Sequence, residues 1–305
     1  MNKKHLTRFA AMATIALMGS TAAWADASGT GWSFSDGTLT LNSNSESECD
    51  KIVISSEEAS TIGTPNKIVV DRGSLGTTLF STIMLPVDVS VDGHNQIVAA
   101  YTVGDMAYYD NVPELTMESV TKLYANKPYI IKFKDGEFGT DKNITFDKLL
   151  SSVQSTNAIT TQVEGSCFSM TGTYETKQWN NGSSHSNDYG FSADDKGGVS
   201  VGQFVRIQNN PNSSESVTLL PARAYLTCTK AQLVNGLGKV AEESLPDVIN
   251  VRFVDKDGGT LSIGKMNTKT GDIQMQDRYY DLKGRKLNGK PQNKVMYVNK
   301  KVIKH

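Results

Sequence analysis

Between residues 26 and 305 the apolar side chains recur at every second position more often than at every third or fourth, and a period of two predicts strands. Trp32 and Phe34, then Leu39 and Leu41, flank an Asp36-Gly37 pair, the pattern of a hairpin closed by a tight turn. Short apolar runs follow at 52–54, 68–70, 97–103, 129–133, 199–207, 224–226, 248–254 and 295–298, separated by Gly, Asn, Asp and Ser, and each reads as a strand. Helical spacing is confined to 114–123, 146–153 and 231–234, the last before Gly236, where a glycine can close the final turn. The expected fold class is therefore all-β, with antiparallel β-sandwich layers and a few short helices. No fixed-period repeat stands out, which argues against a solenoid or a propeller.

The pattern divides the chain into unlike stretches. Residues 1–25 combine a basic start (Lys3, Lys4, Arg8), an apolar stretch over 9–18 and a small-residue site at Ala23-Trp24-Ala25, the three parts of an export signal cleaved after Ala25. No Cys follows that cut, so a lipid anchor there is not expected. Residues 26–75 form a Thr/Ser/Asn-rich β segment, 76–235 a central β-sandwich domain, 236–265 a linker and β segment, and 266–305 a basic tail. Within the central domain the polar run 177–189 is too long for a hairpin turn and is expected to be an exposed loop.

Charge sharpens this division. The 305 residues carry a net charge of -1, but residues 1–25 hold three basic side chains and no acid, residues 26–280 hold 20 basic and 31 acidic ones, and residues 281–305 hold eight basic ones against Asp281 alone. An acidic body thus carries a basic tail. Export removes the usual meaning of such a tail as a nucleic-acid contact, and no interior run is long and apolar enough to span a membrane in the mature chain. With Cys49, Cys167 and Cys228, at least one cysteine lacks an intramolecular partner. Cys167 with Cys228 is the pair to test for a bridge, since both lie in alternating stretches of one region. Buried free thiols are the preferred reading.

Chemistry-bearing motifs are scarce. After the leader only His94, His185 and the terminal His305 remain, and no Gly-x-Ser-x-Gly, His-Glu-x-x-His or phosphate-binding glycine loop occurs. Asp194-Asp195-Lys196-Gly197 and Asp255-Lys256-Asp257-Gly258 resemble calcium loops but lack a correctly spaced bidentate Glu, and they read as turns. No cofactor, metal or catalytic residue is expected, and the chain is not expected to be an enzyme. The best recognition candidate is the 177–189 run, with Trp179, His185, Asp188 and Tyr189, because aromatic planes stack on sugar rings while polar groups take the hydroxyls. The plainer reading folds Trp179 back onto the sheet as an anchor. Tyr108 and Tyr109 make a weaker second patch, since neighbours on a strand face opposite ways.

Two blocks resemble known exported proteins. The tail MNTKTGDIQMQDRYYDLKGRKLNGKPQNKVMYVNKKVIKH, with Tyr280, Asp281, Leu282, Gly284 and Arg285 and then Tyr297 before its basic ending, resembles C-terminal sorting domains of the type IX secretion route in Bacteroidetes and Fibrobacter proteins. Over 76–230, Ala125-Asn126-Lys127-Pro128-Tyr129 and Arg223-Ala224-Tyr225-Leu226 resemble a β-rich module of secreted proteins from the same groups. The resemblance implies an extracellular or outer-surface protein that meets secretion machinery through its tail and has a non-catalytic structural or interaction role. Polysaccharide or envelope components are then the expected partners. The alternatives are a polysaccharide-binding module and, more remotely, a glycoside hydrolase fragment.

Overall fold

The computed structural model describes residues 26–44, 50–73, 79–109, 112–134, 143–179, 187–192, 202–207, 217–229 and 245–254, followed by the backbone of several short tail strands. The leader, Cys49, the 231–234 helix and both acid-glycine loops lie outside the described residues. The fold is all-β and sandwich-like. Its strands in chain order are β1 (Ala27–Gly29), β2 (Trp32–Ser35), β3 (Thr38–Asn42), β4 (Lys67–Asp71), β5 (Phe80–Met84), β6 (Val89–Ser90), β7 (Ile97–Tyr109), β8 (Val112–Val120), β9 (Lys122–Leu123), β10 (Pro128–Phe133) and β11 (Asn143–Phe146). After these come β12 (Thr160–Gln162), β13 (Phe168–Thr173), β14 (Lys177–Trp179), β15 (Asp188–Phe191), β16 (Phe204–Arg206), β17 (Val217–Leu219), β18 (Arg223–Cys228) and β19 (Val248–Val254). The tail backbone adds β20 (Thr260–Ser262), β21 (Gly264–Met266), β22 (Ile273–Met275), β23 (Tyr279–Tyr280), β24 (Lys286–Leu287), β25 (Tyr297–Asn299) and β26 (Val302–Lys304).

The first sheet runs β1-β2-β3-β4-β11. Its hairpin pairs Trp32 with Leu41 and Phe34 with Leu39 around Asp36 and Gly37, whose φ angles of 50° and 68° meet the demand of a tight two-residue turn for positive φ at both positions. β3 and β4 are parallel, so the chain must cross over between them, and it does so through α1 (Ser56–Ile62). That helix was not expected, although its signal is present in the sequence. Ser55 Oγ accepts from the Glu58 amide, and Glu58 Oε2 accepts from the Ser55 amide, a reciprocal cap read from Ser-x-x-Glu spacing. Ala59 and Ile62 bury its inner face, and Gly63 at φ 65° ends it.

Two expected helices are corrected. Residues 114–123 continue the long β8 strand and then β9. Glu114 through Met117 are all buried, and the Glu-Leu-Thr-Met-Glu order over 114–118 already carries the period-two alternation of a strand. Residues 147–153 are irregular because their amides bond elsewhere: Leu150 donates to the Asp88 carbonyl and Val153 to that of Gly63. The run at 52–54 is extended but is not a ladder strand, with Ile52 donating to Tyr174 O and Val53 to Thr30 O.

The second sheet runs β12-β13-β18-β15-β16-β19-β8-β7-β10-β5, antiparallel except for the β19–β8 pair. It curls until its last strand meets β18, with the Met84 amide donating to Ala222 O and the Ala224 amide to Thr82 Oγ1. One apolar core fills the inside of this curl, around Phe80, Tyr101, Met117, Phe168, Tyr189 and Phe253. A second core lies between the curl and the first sheet, around Trp32, Leu41, Val70, Ile83, Ile131 and Phe146. Alternation along β10 sends Ile130 to the inner core and Tyr129 and Ile131 to the outer one, so a single strand serves both. The outer core draws residues from both the 26–73 and the 79–174 stretches, and β11, from the latter, completes the first sheet.

The Ala125–Tyr129 motif has a structural explanation. Asn126 adopts φ 62° and is buried, and every polar group it has is engaged. Its amide donates to Leu85 O and its carbonyl accepts from the Ile159 amide. Its side-chain Nδ2 donates to Ser155 O at 3.0 Å, and its Oδ1 accepts from the Tyr174 hydroxyl at 2.8 Å and the Asn157 amide at 3.4 Å. The Ala125 amide donates to Asp88 Oδ1, and the Tyr129 hydroxyl accepts from the Tyr124 amide. The motif therefore ties the extended segment 151–159 to the outer core.

Cys167 and Cys228 form a disulfide with their Cα atoms 5.0 Å apart. They lie beside one another because β13 and β18 pair Phe168 with Cys228. The free-thiol reading is thereby corrected for these two residues. In the tail the backbone order β24-β23-β25-β26 pairs Tyr280 with Lys286 and Val298, and Tyr297 with Lys304, while Asp281, Leu282, Gly284 and Arg285 lie outside the described residues. Among the described residues no helix is long and apolar enough to cross a membrane.

Candidate functional site

The residues predicted at 177–189 divide three ways. Trp179 and Asp188 come together, Tyr189 is removed to the core, and His185 lies outside the described residues. The expected loop is bounded by strands, β14 pairing with β17 and β15 inserted between β18 and β16. In mid-sheet, Tyr189 aligns with inward-facing Leu226 and is fully buried, its ring edge-on to Phe168 at 5.5 Å. Its hydroxyl donates to Pro246 O. Tyr189 is thus a core residue, and its assignment to a recognition surface is corrected. Tyr108 and Tyr109 sit at the turn end of β7, paired with Pro113 and Val112.

What remains on the outer face is a four-residue cluster, two members of which the sequence did not single out. Alternation along β18 turns Ala224 and Leu226 inward and leaves Tyr225 outward. The β14–β17 ribbon places Trp179 against it, ring edge to ring face, with centroids 5.7 Å apart at 77°. Lys177 lies over both rings, its Nζ 3.9 Å from the Tyr225 centroid and 4.9 Å from that of Trp179. The same ammonium meets Asp188 Oδ2 at 2.8 Å, and that oxygen also accepts from Trp179 Nε1 at 2.9 Å.

The electrostatics of this cluster are settled internally. Burial acts to lower the pKa of the Lys177 ammonium, but its bonds to Asp188 and Tyr225 outweigh burial and leave the pKa above its ordinary value. The lysine is fixed as a cation, and its charge is matched by Asp188. The surface left for a ligand is the outer side of two aromatic rings flanked by Val217, which is 46% exposed and directly opposite Trp179 in the ribbon. Such a surface can stack, and among the described residues the charged groups beside it, Lys177 and Asp188, are already paired with each other. The alternation of Arg223-Ala224-Tyr225-Leu226 could have shown that Tyr225 faces outward. Nothing local indicates that Lys177, nearly 50 positions away, lies on it.

Other clusters read as structure. Arg72 is buried and spreads its guanidinium over Ser43 Oγ, Thr82 O and Ala222 O, pinning the first sheet to the closure of the curl. Glu114 and Arg252 form a half-buried ion pair at 3.3 Å between β8 and β19. A groove on the outer face of the β2–β3 hairpin is lined by Ser33, Ser35, Thr38, Thr40, Asn66 and Lys67 and includes no aromatic plane for stacking. Among the described residues no three His, Cys, Asp or Glu side chains converge as metal ligands. Comparisons of the chain with protein-family models, curated proteins and solved structures return no match, so the functional reading rests on the residues themselves.

Proposed function

We propose that this chain is an exported, non-catalytic structural or interaction protein of the outer cell surface. The observation that carries this reading is the Cys167–Cys228 bridge, because disulfides form and persist in oxidising, extracytoplasmic surroundings. The leader pattern at 1–25 and the sorting-like tail around Tyr280 and Tyr297 point the same way. The test is delivery. Exported protein begins at Asp26, and deleting residues 279–305 abolishes its appearance at the surface, whereas Lys300, Lys301 and Lys304 changed to Gln leave delivery intact. Normal delivery after the deletion overturns the sorting role. A defect reproduced by the three glutamines, and mimicked by high salt, assigns the tail to electrostatic tethering instead.

A second reading, polysaccharide binding, is favoured by one observation, the ring of Trp179 on β14 paired with that of Tyr225 on the bridged strand β18. Stacking of sugar C–H faces on such rings is the expected mode. Glycan-array retention of residues 26–305 falls to background in both Trp179→Ala and Tyr225→Ala if the patch binds. Trp179→Ala also costs about 1–2 kcal/mol of stability, from the lost ring pair and the Asp188 hydrogen bond. Unchanged retention in both variants removes this reading.

A further inference from the structure

The turn between β6 and β7 is built on an imidazole. The Nδ1 of His94 accepts from two amides, those of Gln96 and Ile97, each at 3.0 Å. Its lone pair is therefore fully used, and the ring proton must sit on Nε2, which is buried. The ring packs on Phe146, centroids 5.1 Å apart. This is the work an Asn or Asp oxygen does in a local side-chain turn, done here by a group that can take up a proton.

Gln96, fixed by this turn, reaches across to β11, the edge strand of the first sheet. Its Oε1 accepts from the Thr145 amide at 2.9 Å, its Nε2 donates to Asn143 O at 3.1 Å, and its own carbonyl accepts from the Lys134 amide at 2.9 Å. One side chain thus occupies the outward ladder groups of an edge strand, a place where unpaired groups invite another strand. The charged neighbours are Asp92 in the turn, Asp147 and Lys148 just after β11, and Lys134 just after β10. Lys148 donates to the carbonyls of Asp92 and Gly93.

We propose that His94 is an acid-sensitive latch: protonation at Nδ1 sets a third N–H against the amides of Gln96 and Ile97, the turn opens, and Gln96 withdraws from the edge of β11. The chemistry is a single proton taken from water, with no other covalent bond made or broken. Burial lowers the pKa of the imidazole from its ordinary value, more than the Thr145 backbone and Asp147 raise it, and Lys148 lowers it further. A folded-state pKa below the unfolded one means that the contribution of the latch is complete above about pH 6.5. It is lost as pH falls from there through the folded-state pKa.

The test is amide hydrogen exchange on residues 26–305 between pH 8 and pH 5, with protection factors corrected for intrinsic rates. Protection at Gln96, Ile97 and Thr145 is expected to fall about tenfold per pH unit as acid populates the charged ring. The Leu41 and Val70 amides of the first sheet hold theirs. His94→Asn, whose Oδ1 can accept the same amides but does not titrate, is expected to make the three protections independent of pH, and His94→Phe to lose them throughout. Flat protection in the native chain, the same pH dependence in His94→Asn, or a simultaneous loss at Leu41 overturns the proposal. Should a variant not fold, long-range nitrogen-15 spectra of the native imidazole decide it, since a neutral ring carrying its proton on Nδ1 at pH 8 also overturns the latch.

Discussion

Replacing Asn126 by Ala is expected to cost about 3–5 kcal/mol, a large loss for one polar residue. Several terms combine. Alanine at a left-handed φ of 62° is strained by about 1 kcal/mol where asparagine is tolerated. The Tyr174 hydroxyl, completely buried and with its phenol pKa held well above the ordinary value by that burial, loses its acceptor, at about 1–3 kcal/mol. The Ser155 carbonyl loses its donor, and the Asn157 amide its acceptor. Asn126→Gly separates the terms, because it keeps the backbone angle and recovers only the strain. Chemical denaturation of the two variants, with Tyr174→Phe as the third corner of a cycle, checks the assignment. If Asn126→Gly restored full stability, the hydrogen-bond argument would fail.

Opening the Cys167–Cys228 bridge is expected to cost about 4 kcal/mol, the chain-entropy value for a loop closed across 61 positions. For a chain of this size that lowers the melting temperature by on the order of 10 °C. The local damage is predictable too. The Cys228 amide donates to Asn187 O and the Thr229 amide to Cys167 O, so the bridge steadies the strand that presents Asp188 to Lys177 and Trp179. Thermal unfolding with and without reductant, beside the Cys167→Ala/Cys228→Ala double variant, measures it. Equal midpoints in all three samples, together with three titratable thiols in the native chain, would show that no bridge exists.

Much of the β architecture could be read from the sequence where the cause is local. The Trp32–Leu41 hairpin follows from alternation plus Asp36-Gly37, and β4, β7, β10, β18 and β19 from short alternating runs. β8 was legible too, since Glu114, Thr116 and Glu118 alternate with Leu115 and Met117; what the sequence does not show is that the polar face is itself buried, Glu114 meeting Arg252 of β19. Tyr189 was misread because the Asn, Gly and Ser residues around it suggest a loop, while its burial comes from Leu226 and Phe168, which are distant in the chain. The bridge could be named as a pair but not as a state, since only the β13–β18 register brings the two sulfurs together. The aromatic cluster depended on the same kind of information. Lys177 and Tyr225 meet across two strand pairings, and no local pattern encodes that meeting.

The position of β19 constrains when the molecule can be completed. It lies between β8 and β16, parallel to the first and antiparallel to the second, and supplies Ile249 and Phe253 to the inner core. A chain emerging from its N-terminus lacks this stave until residue 254 has appeared, long after the strands on either side of the gap are available. The curl stays open until β19 arrives, and its completion rests on pairing across more than a hundred residues, the slowest kind of contact to form. Until β19 takes its place, β8 and β16 each keep one edge without the partner strand they have in the finished sheet.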